Sequence, residues 1–123
     1  MERVISRELP LCKSRLAIKM ENVGEDIVLI VRGGTREHIG CAVLAVPRPS
    51  LTGTGFSSTA SVLNVTGHKD EAICRLLAER LSAATNQTVF CCGGFHLDQI
   101  TPEQINEVIR SAQEIADELV ADG

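Results

Sequence analysis

The sequence predicts an α+β domain: helices on one face of a mostly antiparallel sheet of five to six strands, in the element order ββββαβα. Three observations lead to this class. Strand-like segments fill the first half of the chain, both segments with helical periodicity come late, and stretches containing Gly, Pro, Asn or Asp separate them. A length of 123 residues suits one domain with a modest core, so residues 1–123 are taken as a single domain.

Four strands are expected before the first helix. Residues 16–20 alternate apolar and other side chains, and residues 27–31 are a β-branched run, so the turn-forming residues between them predict a hairpin. Residues 41–46 predict a third strand that Pro47 stops, because proline cannot donate to a ladder. Residues 56–65 alternate small polar and apolar side chains and predict a fourth.

A helix, a strand and a second helix complete the chain. Apolar residues recur at helical spacing between Asp70 and Asn86 and predict an amphipathic helix. Residues 88–92 predict a short strand inside the sheet. Thr101 and Gln104 have the spacing of a capping box, so a long C-terminal helix begins there.

Composition argues against several classes of function. Aromatic residues are 2% of the chain, and the formal net charge is −4 with scattered basic residues. Binding of single-stranded nucleic acid needs stacking platforms and a basic groove, so no nucleic-acid partner is expected. A flavin site built on stacked side-chain rings is disfavoured for the same reason.

Cysteine usage and apolar run lengths bear on the cellular compartment. Five cysteines without a CxxC pair, and an N-terminus without an apolar run, favour reduced thiols in the cytoplasm. No apolar run approaches the roughly 20 residues that cross a bilayer, so no membrane association is expected.

Three histidines lie beside glycines near the ends of apolar runs: His38 in residues 33–40, His68 in residues 66–71 and His96 in residues 93–98. Glycine permits close approach, and histidine binds ligands or exchanges protons near neutral pH. If the loops converge they form one pocket; if not, the chain has three separate surface histidines.

Each loop has a functional and an ordinary interpretation. The first could form a backbone nest for an anion with Arg32 or Arg36, or be a plain hairpin loop. The second places His68 and Lys69 at a helix N-terminus, which favours anions, or leaves His68 solvated. In the third, His96 and Asp98 could pair, or Asp98 could belong to a turn.

Two kinds of enzyme are alternatives. His38, His68 and His96 could hold a divalent metal ion with an open position, although their spacing matches no metal motif. A nucleophilic enzyme is disfavoured because the chain has no Gly-x-Ser-x-Gly sequence and no cysteine adjacent to a histidine.

Taken together, GGTREHIG, TGHKDEAI and GGFHLDQIT resemble the prenylated-flavin chaperone LpdD-like domain family over residues 12–120. The resemblance implies a fold like that of proteasome-assembly chaperones, a homodimer, and an accessory protein that is not itself an enzyme. It implies reversible binding of reduced prenylated flavin mononucleotide (FMN) as cargo for a UbiD-type aromatic acid decarboxylase, with the flavin prenyltransferase as a further partner.

Motif by motif, the resemblance carries cofactor binding onto Gly33, Gly34, Thr35, His38, Gly67, His68, Lys69, Gly94, His96 and Asp98. Phe95 departs from the smaller aliphatic residue expected there and could change the pocket wall. Besides the metal-dependent enzyme, the alternative is a protein-assembly chaperone that binds a partner subunit through its Ser/Thr-rich strand or long helix.

Overall fold

A computed structural model describes residues 2–65 and 69–122, and of Lys69 the backbone alone. The elements in chain order are β1 (Glu2–Leu9), β2 (Ser14–Val23), β3 (Asp26–Gly33), β4 (Cys41–Pro49), β5 (Phe56–Asn64), α1 (Lys69–Thr85), β6 (Val89–Gly93) and α2 (Pro102–Asp122). No helix in these ranges combines the length and the apolar character needed to cross a membrane.

The six strands form one mixed sheet in the order β1-β2-β3-β6-β4-β5. β3 and β6 are parallel, and every other neighbouring pair is antiparallel. Both helices pack on the same face, α1 over β4, β5 and β6, and α2 over β1 and β2. The predicted α+β class, the single helical layer and the strand count are confirmed.

β1 adds a strand before the four that were predicted, so the order is βββββαβα. The apolar alternation of a half-buried strand is not evident in β1, because Arg3 and Arg7 lie on the same helix-facing side as the buried Ile5 and Leu9. Both guanidinium groups reach Glu118 on α2, with Nη2 to carboxylate oxygen distances of 2.9 Å for Arg3 and 2.6 Å for Arg7. A tertiary ion pair therefore lets charged residues occupy core-facing positions.

β4 continues past Pro47 to Pro49, so the prediction that proline stops this strand is wrong. β4 pairs with β6 only from Cys41 to Ala45. Beyond Ala45 only β5 lies alongside, and Pro47 pairs there with Ser58. On that side of β4 no donor is required, which is where proline is tolerated.

The core lies between the sheet and the helices. On α1 the predicted stripe is confirmed, with Ile73, Leu77 and Leu81 at most 3% exposed. Phe95, just after β6, is 0% exposed and is the largest fully buried side chain among the described residues.

No described helix covers the opposite side of the sheet, which we call the open sheet face. Part of it is apolar, and Leu44, Val46, Leu63 and Phe90 are between 36% and 76% exposed there. The β-strand alternation accounts for this arrangement, since neighbouring residues of each strand point to opposite faces. Cys91 and Cys92 show it directly, the first buried and the second facing the open side.

Candidate functional site

Parallel pairing of β3 with β6 brings two of the glycine loops to the same edge of the sheet. Val31 pairs with Gly93, and the Gly94 N–H donates to the Val31 carbonyl oxygen at 3.2 Å. One step further, the Thr35 N–H donates to the His96 carbonyl oxygen at 2.8 Å. The two loops therefore continue side by side beyond the ends of their strands.

Two glycines make this contact possible. Gly34 has φ of 84° and Gly93 has φ of 121°, a region that L side chains rarely adopt. A Cβ on Gly34 would also lie 1.9 Å from the His96 carbonyl oxygen, and one on Gly93 would lie 2.1 Å from the Val31 oxygen. Any side chain at either position would separate the loops.

His38 and His96 come together at this edge. Their ring centroids are 5.8 Å apart with an interplanar angle of 84°, an edge-to-face contact. Both side chains are 30% exposed, so each is partly open to a ligand. Convergence of these two loops is confirmed. His68 and Gly67 lie outside the described residues, so their part in the predicted pocket stays a prediction.

Asp70 is the site residue that sequence reasoning missed. It is 5% exposed, in the first turn of α1, and both carboxylate oxygens are used. Oδ1 accepts the Phe95 N–H at 2.8 Å, and Oδ2 lies 3.1 Å from His38 Nε2. From the sequence, Asp70 was predicted only to lie at a helix start, and its one further signal is its position two residues after His68.

Glycines close around the Asp70 carboxylate. A Cβ on Gly40 would lie 1.9 Å from Asp70 Oδ2, and one on Gly94 would lie 2.8 Å from its Cγ. Both positions therefore need glycine for space. Of these, Gly94 was predicted as a binding residue, and a side chain at that position would clash with the carboxylate that pairs with His38.

The hydrogen bond to Asp70 determines which ring nitrogen of His38 carries the hydrogen. An ionised carboxylate only accepts, so Nε2 of His38 carries the hydrogen that it shares with Asp70. In the neutral ring, Nδ1 is then an acceptor. Nδ1 is buried and has no hydrogen-bond partner within residues 2–65 and 69–122. An unpartnered buried nitrogen on a side chain that is 30% exposed suits a ligand that donates a hydrogen bond.

Both interpretations of the third loop are confirmed, since His96 pairs with Asp98 and Asp98 also lies in the turn before α2. Nε2 of His96 lies 2.8 Å from Oδ1 of Asp98, and the Asp98 side chain is 87% exposed. The two histidines thus have carboxylate partners in contrasting settings, one buried and one in solvent.

The described residues contain no group of three His, Cys, Asp or Glu side chains placed to hold a metal ion. The predicted three-histidine metal site includes His68, which lies outside the described residues, so this observation does not test that prediction. Four of the cysteines, Cys12, Cys41, Cys74 and Cys91, are buried in the core. The pKa of Cys74 is raised mainly by a hydrogen bond with Cys91 and secondly by burial. The pKa of Cys41 is raised mainly by burial and secondly by the nearby Cys74.

A cavity of about 920 Å³ adjoins the His38 loop on the open sheet face. Gly33, Gly34 and Glu37 line it at one end, and β1, β2 and the turn between them supply most of the remainder. Neither His38 nor His96 lines it, so the cavity meets the histidine pair only through the first glycine loop.

A family model for the prenylated flavin chaperone LpdD-like domain matches residues 12–122. The chain belongs to this family. Over 104 residues it is 25% identical to Protein LpdD of Lactiplantibacillus plantarum, covering 83% of this chain and 72% of that protein. Membership of this chaperone family and the similarity to Protein LpdD identify the chain as a non-catalytic accessory protein, as predicted.

Among solved structures, a chain from a chaperone complex for yeast 20S proteasome assembly is similar. The TM-score is 0.51 at 13% identity, over 97% of this chain and 98% of that one. The predicted fold of the LpdD-like domain is therefore confirmed.

The structure brings together Gly33, Gly34, Thr35, His38, Gly94, His96 and Asp98 of the residues predicted to bind cofactor. Phe95 does not line the pocket. It lies in the core, where a Cβ on Gly33 would be 2.7 Å from its Cδ2 atom. The side chain of Lys69 is outside the described part of the chain.

Proposed function

We propose that this protein reversibly binds reduced prenylated FMN and protects or delivers it for a UbiD-type aromatic acid decarboxylase. The observation that carries the proposal is the contact of His38 and His96, 5.8 Å apart on two glycine loops. Membership of the prenylated flavin chaperone family supports this ligand class.

The groups at the site suit a flavin held loosely. A reduced isoalloxazine ring offers N–H donors and carbonyl acceptors, and neutral His38 offers an acceptor at its buried Nδ1. With aromatic residues at 2% of the chain, the ring would rest on imidazole edges and backbone planes. Weak enclosure favours release, which a carrier requires.

The open sheet face supports the proposed partners. Leu44, Leu63 and Phe90 form an exposed apolar surface, which is typical of a protein interface. We infer a homodimer through the part of this face formed by β4, β5 and β6, away from the cavity over β1 and β2, and contacts of the loaded protein with the decarboxylase and the flavin prenyltransferase. Light scattering after size exclusion should give a molar mass of two chains for wild type and of one chain for Leu63→Asp. A wild-type protein with the mass of one chain contradicts the dimer.

We propose that the protein acts in the cytoplasm, together with the enzymes that would make and use its cargo. Five free cysteines support this compartment, since free thiols persist where glutathione and thioredoxin keep them reduced.

Anaerobic calorimetric titration with reduced prenylated FMN tests the proposed function. Wild type should bind it, and His38→Ala and His96→Ala should each weaken binding about tenfold, or about 1.4 kcal/mol. Glu114→Ala, on the exposed side of α2, is the control and should bind like wild type. Folded wild type that binds no prenylated flavin contradicts the proposal.

The same protein samples test the metal alternative. His38 and His96 each hold a carboxylate through Nε2, which would leave Nδ1 of each ring for a metal ion. Elemental analysis after chelator-free purification should show no stoichiometric metal if the site binds flavin alone. A stoichiometric metal lost in His38→Ala would favour the metal-dependent enzyme.

A further inference from the structure

The cavity beside the His38 loop is cationic, although the chain as a whole has a formal net charge of −4. Its charged lining residues are four basic side chains and two acidic ones: Lys13, Arg15, Lys19, Arg32, Glu8 and Glu37. A concave surface of the opposite sign to the whole protein concentrates anions locally.

Strand register explains how the basic side chains meet. Arg32 on β3 is the direct partner of Ala17 on β2. Arg15 and Lys19 lie two residues to either side of Ala17, so they project from the same face. Side chains in such diagonal positions start roughly 7–8 Å apart and can converge on one ligand. Ala17 is small, which leaves the space between them open.

These cations have few protein partners. Within residues 2–65 and 69–122, Lys13, Arg15 and Arg32 have no ion pair or side-chain hydrogen bond, and Lys19 Nζ is 3.5 Å from one carboxylate oxygen of Glu2. Glu8 is the cross-strand partner of Arg15 but is not within 4 Å of it as an ion pair.

Arginines on the helix side of the sheet differ from Arg15 and Arg32. On the helix side of the sheet, Arg3 and Arg7 both contact Glu118, and Arg80 lies 2.7 Å from Asp117. Within the described residues, Arg15 and Arg32 of the cavity keep their guanidinium donors free of such partners. Guanidinium groups in this state match the paired oxygens of a phosphate.

Ser14 links the cavity to the histidine loop. Its hydroxyl oxygen accepts the Gly34 N–H at 3.1 Å, so its own proton is free to be donated. The loop that carries His38 is thereby held at the cavity edge.

We propose that this cavity binds the phosphate dianion of a phosphomonoester, with Arg15 and Arg32 as the main donors and Lys13 and Lys19 completing the charge. This deepens the proposed function and rests on it only for the identity of the group attached to the phosphate. In a flavin mononucleotide, the phosphate would lie over β2 and the ring would extend towards His38.

Titration of inorganic phosphate, followed by ³¹P NMR at low ionic strength, tests the cavity without any flavin. Wild type should bind phosphate, and the double variant Arg15→Gln/Arg32→Gln should weaken binding at least tenfold. Arg48→Gln/Arg75→Gln removes the same charge outside the cavity and should leave binding unchanged; thermal melts verify that each variant is folded. Equal binding by both double variants, or none by wild type, overturns the proposal.

A second titration, with reduced prenylated FMN and its dephosphorylated form, separates this inference from the proposed function. The phosphorylated ligand should bind more tightly to wild type, and Arg15→Gln/Arg32→Gln should abolish that advantage. If the double variant retains it, the phosphate site is wrong while flavin binding stands. If neither flavin binds but phosphate does, the proposed function fails and the phosphate site stands, with free phosphate as its ligand.

Discussion

Replacing Asp70 by asparagine removes the charge of a buried side chain while keeping its shape. Asp70 accepts two hydrogen bonds, from the Phe95 N–H at 2.8 Å and from His38 Nε2 at 3.1 Å. Hydrogen bonds to charged groups contribute about 1.5–3 kcal/mol each, against about 0.5–1.5 kcal/mol for neutral ones. Losing that difference twice should lower the free energy of unfolding by about 2–3 kcal/mol, which for a domain of this size lowers Tm by about 6–15 °C.

The same substitution should reverse the tautomer of His38. The Phe95 N–H still needs an acceptor, so the amide oxygen of Asp70→Asn faces it and the NH₂ group faces His38. Nε2 then becomes the acceptor and Nδ1 carries the hydrogen. ¹⁵N NMR of the imidazole nitrogens reports this exchange directly, and ligand affinity should fall because the free acceptor at Nδ1 is lost.

Asp98→Asn is the matched control. It makes the same chemical change at the other histidine–carboxylate pair, where the Asp98 side chain is 87% exposed. Exposed pairs contribute about 0–1 kcal/mol, so Tm should fall by less than about 4 °C. Equal losses of Tm in the two variants, or an unchanged His38 tautomer in Asp70→Asn, would refute the role assigned to the buried carboxylate.

Two further predictions concern the scaffold. Burial opposes ionisation of Glu107, but hydrogen bonds from Leu11 and Cys12 outweigh it and lower its pKa. The stability that Glu107 contributes is therefore present above its unfolded pKa and lost as pH falls, so Glu107→Gln should cost about 1 kcal/mol at pH 7 and less in acid. Urea denaturation across pH checks this, and a constant difference contradicts it. In native protein, iodoacetamide should modify Cys92 before Cys74, because the raised pKa and full burial of Cys74 suppress its thiolate; mass spectrometry showing early modification of Cys74 contradicts this.

Local signals predicted the elements whose stabilising contacts are also local. The capping box is one: the Thr101 N–H donates to Gln104 Oε1 at 2.8 Å, and the Gln104 N–H donates to Thr101 Oγ1 at 3.2 Å. β1 escaped prediction because its inward arginines are neutralised by Glu118, more than a hundred residues away. Periodicity alone cannot identify a core position occupied by a charge whose partner is so distant.

The site was predictable only in part for a similar reason. Glycine–histidine loops pointed to His38 and His96, but their convergence depends on the insertion of β6 between β3 and β4. Asp70 needs that same arrangement, since its partners His38 and Phe95 come from two different loops. The cationic cavity follows from strand register, which places Arg32 opposite Ala17.

His38 and His96 are proposed to contact one ligand, and imidazole NMR during titration with reduced prenylated FMN can follow both rings at once. Both rings should shift over the same range of ligand concentration, and His38→Ala should reduce the response of His96. Saturable binding without a chemical-shift change in either imidazole would show that the histidine pair is not the binding site.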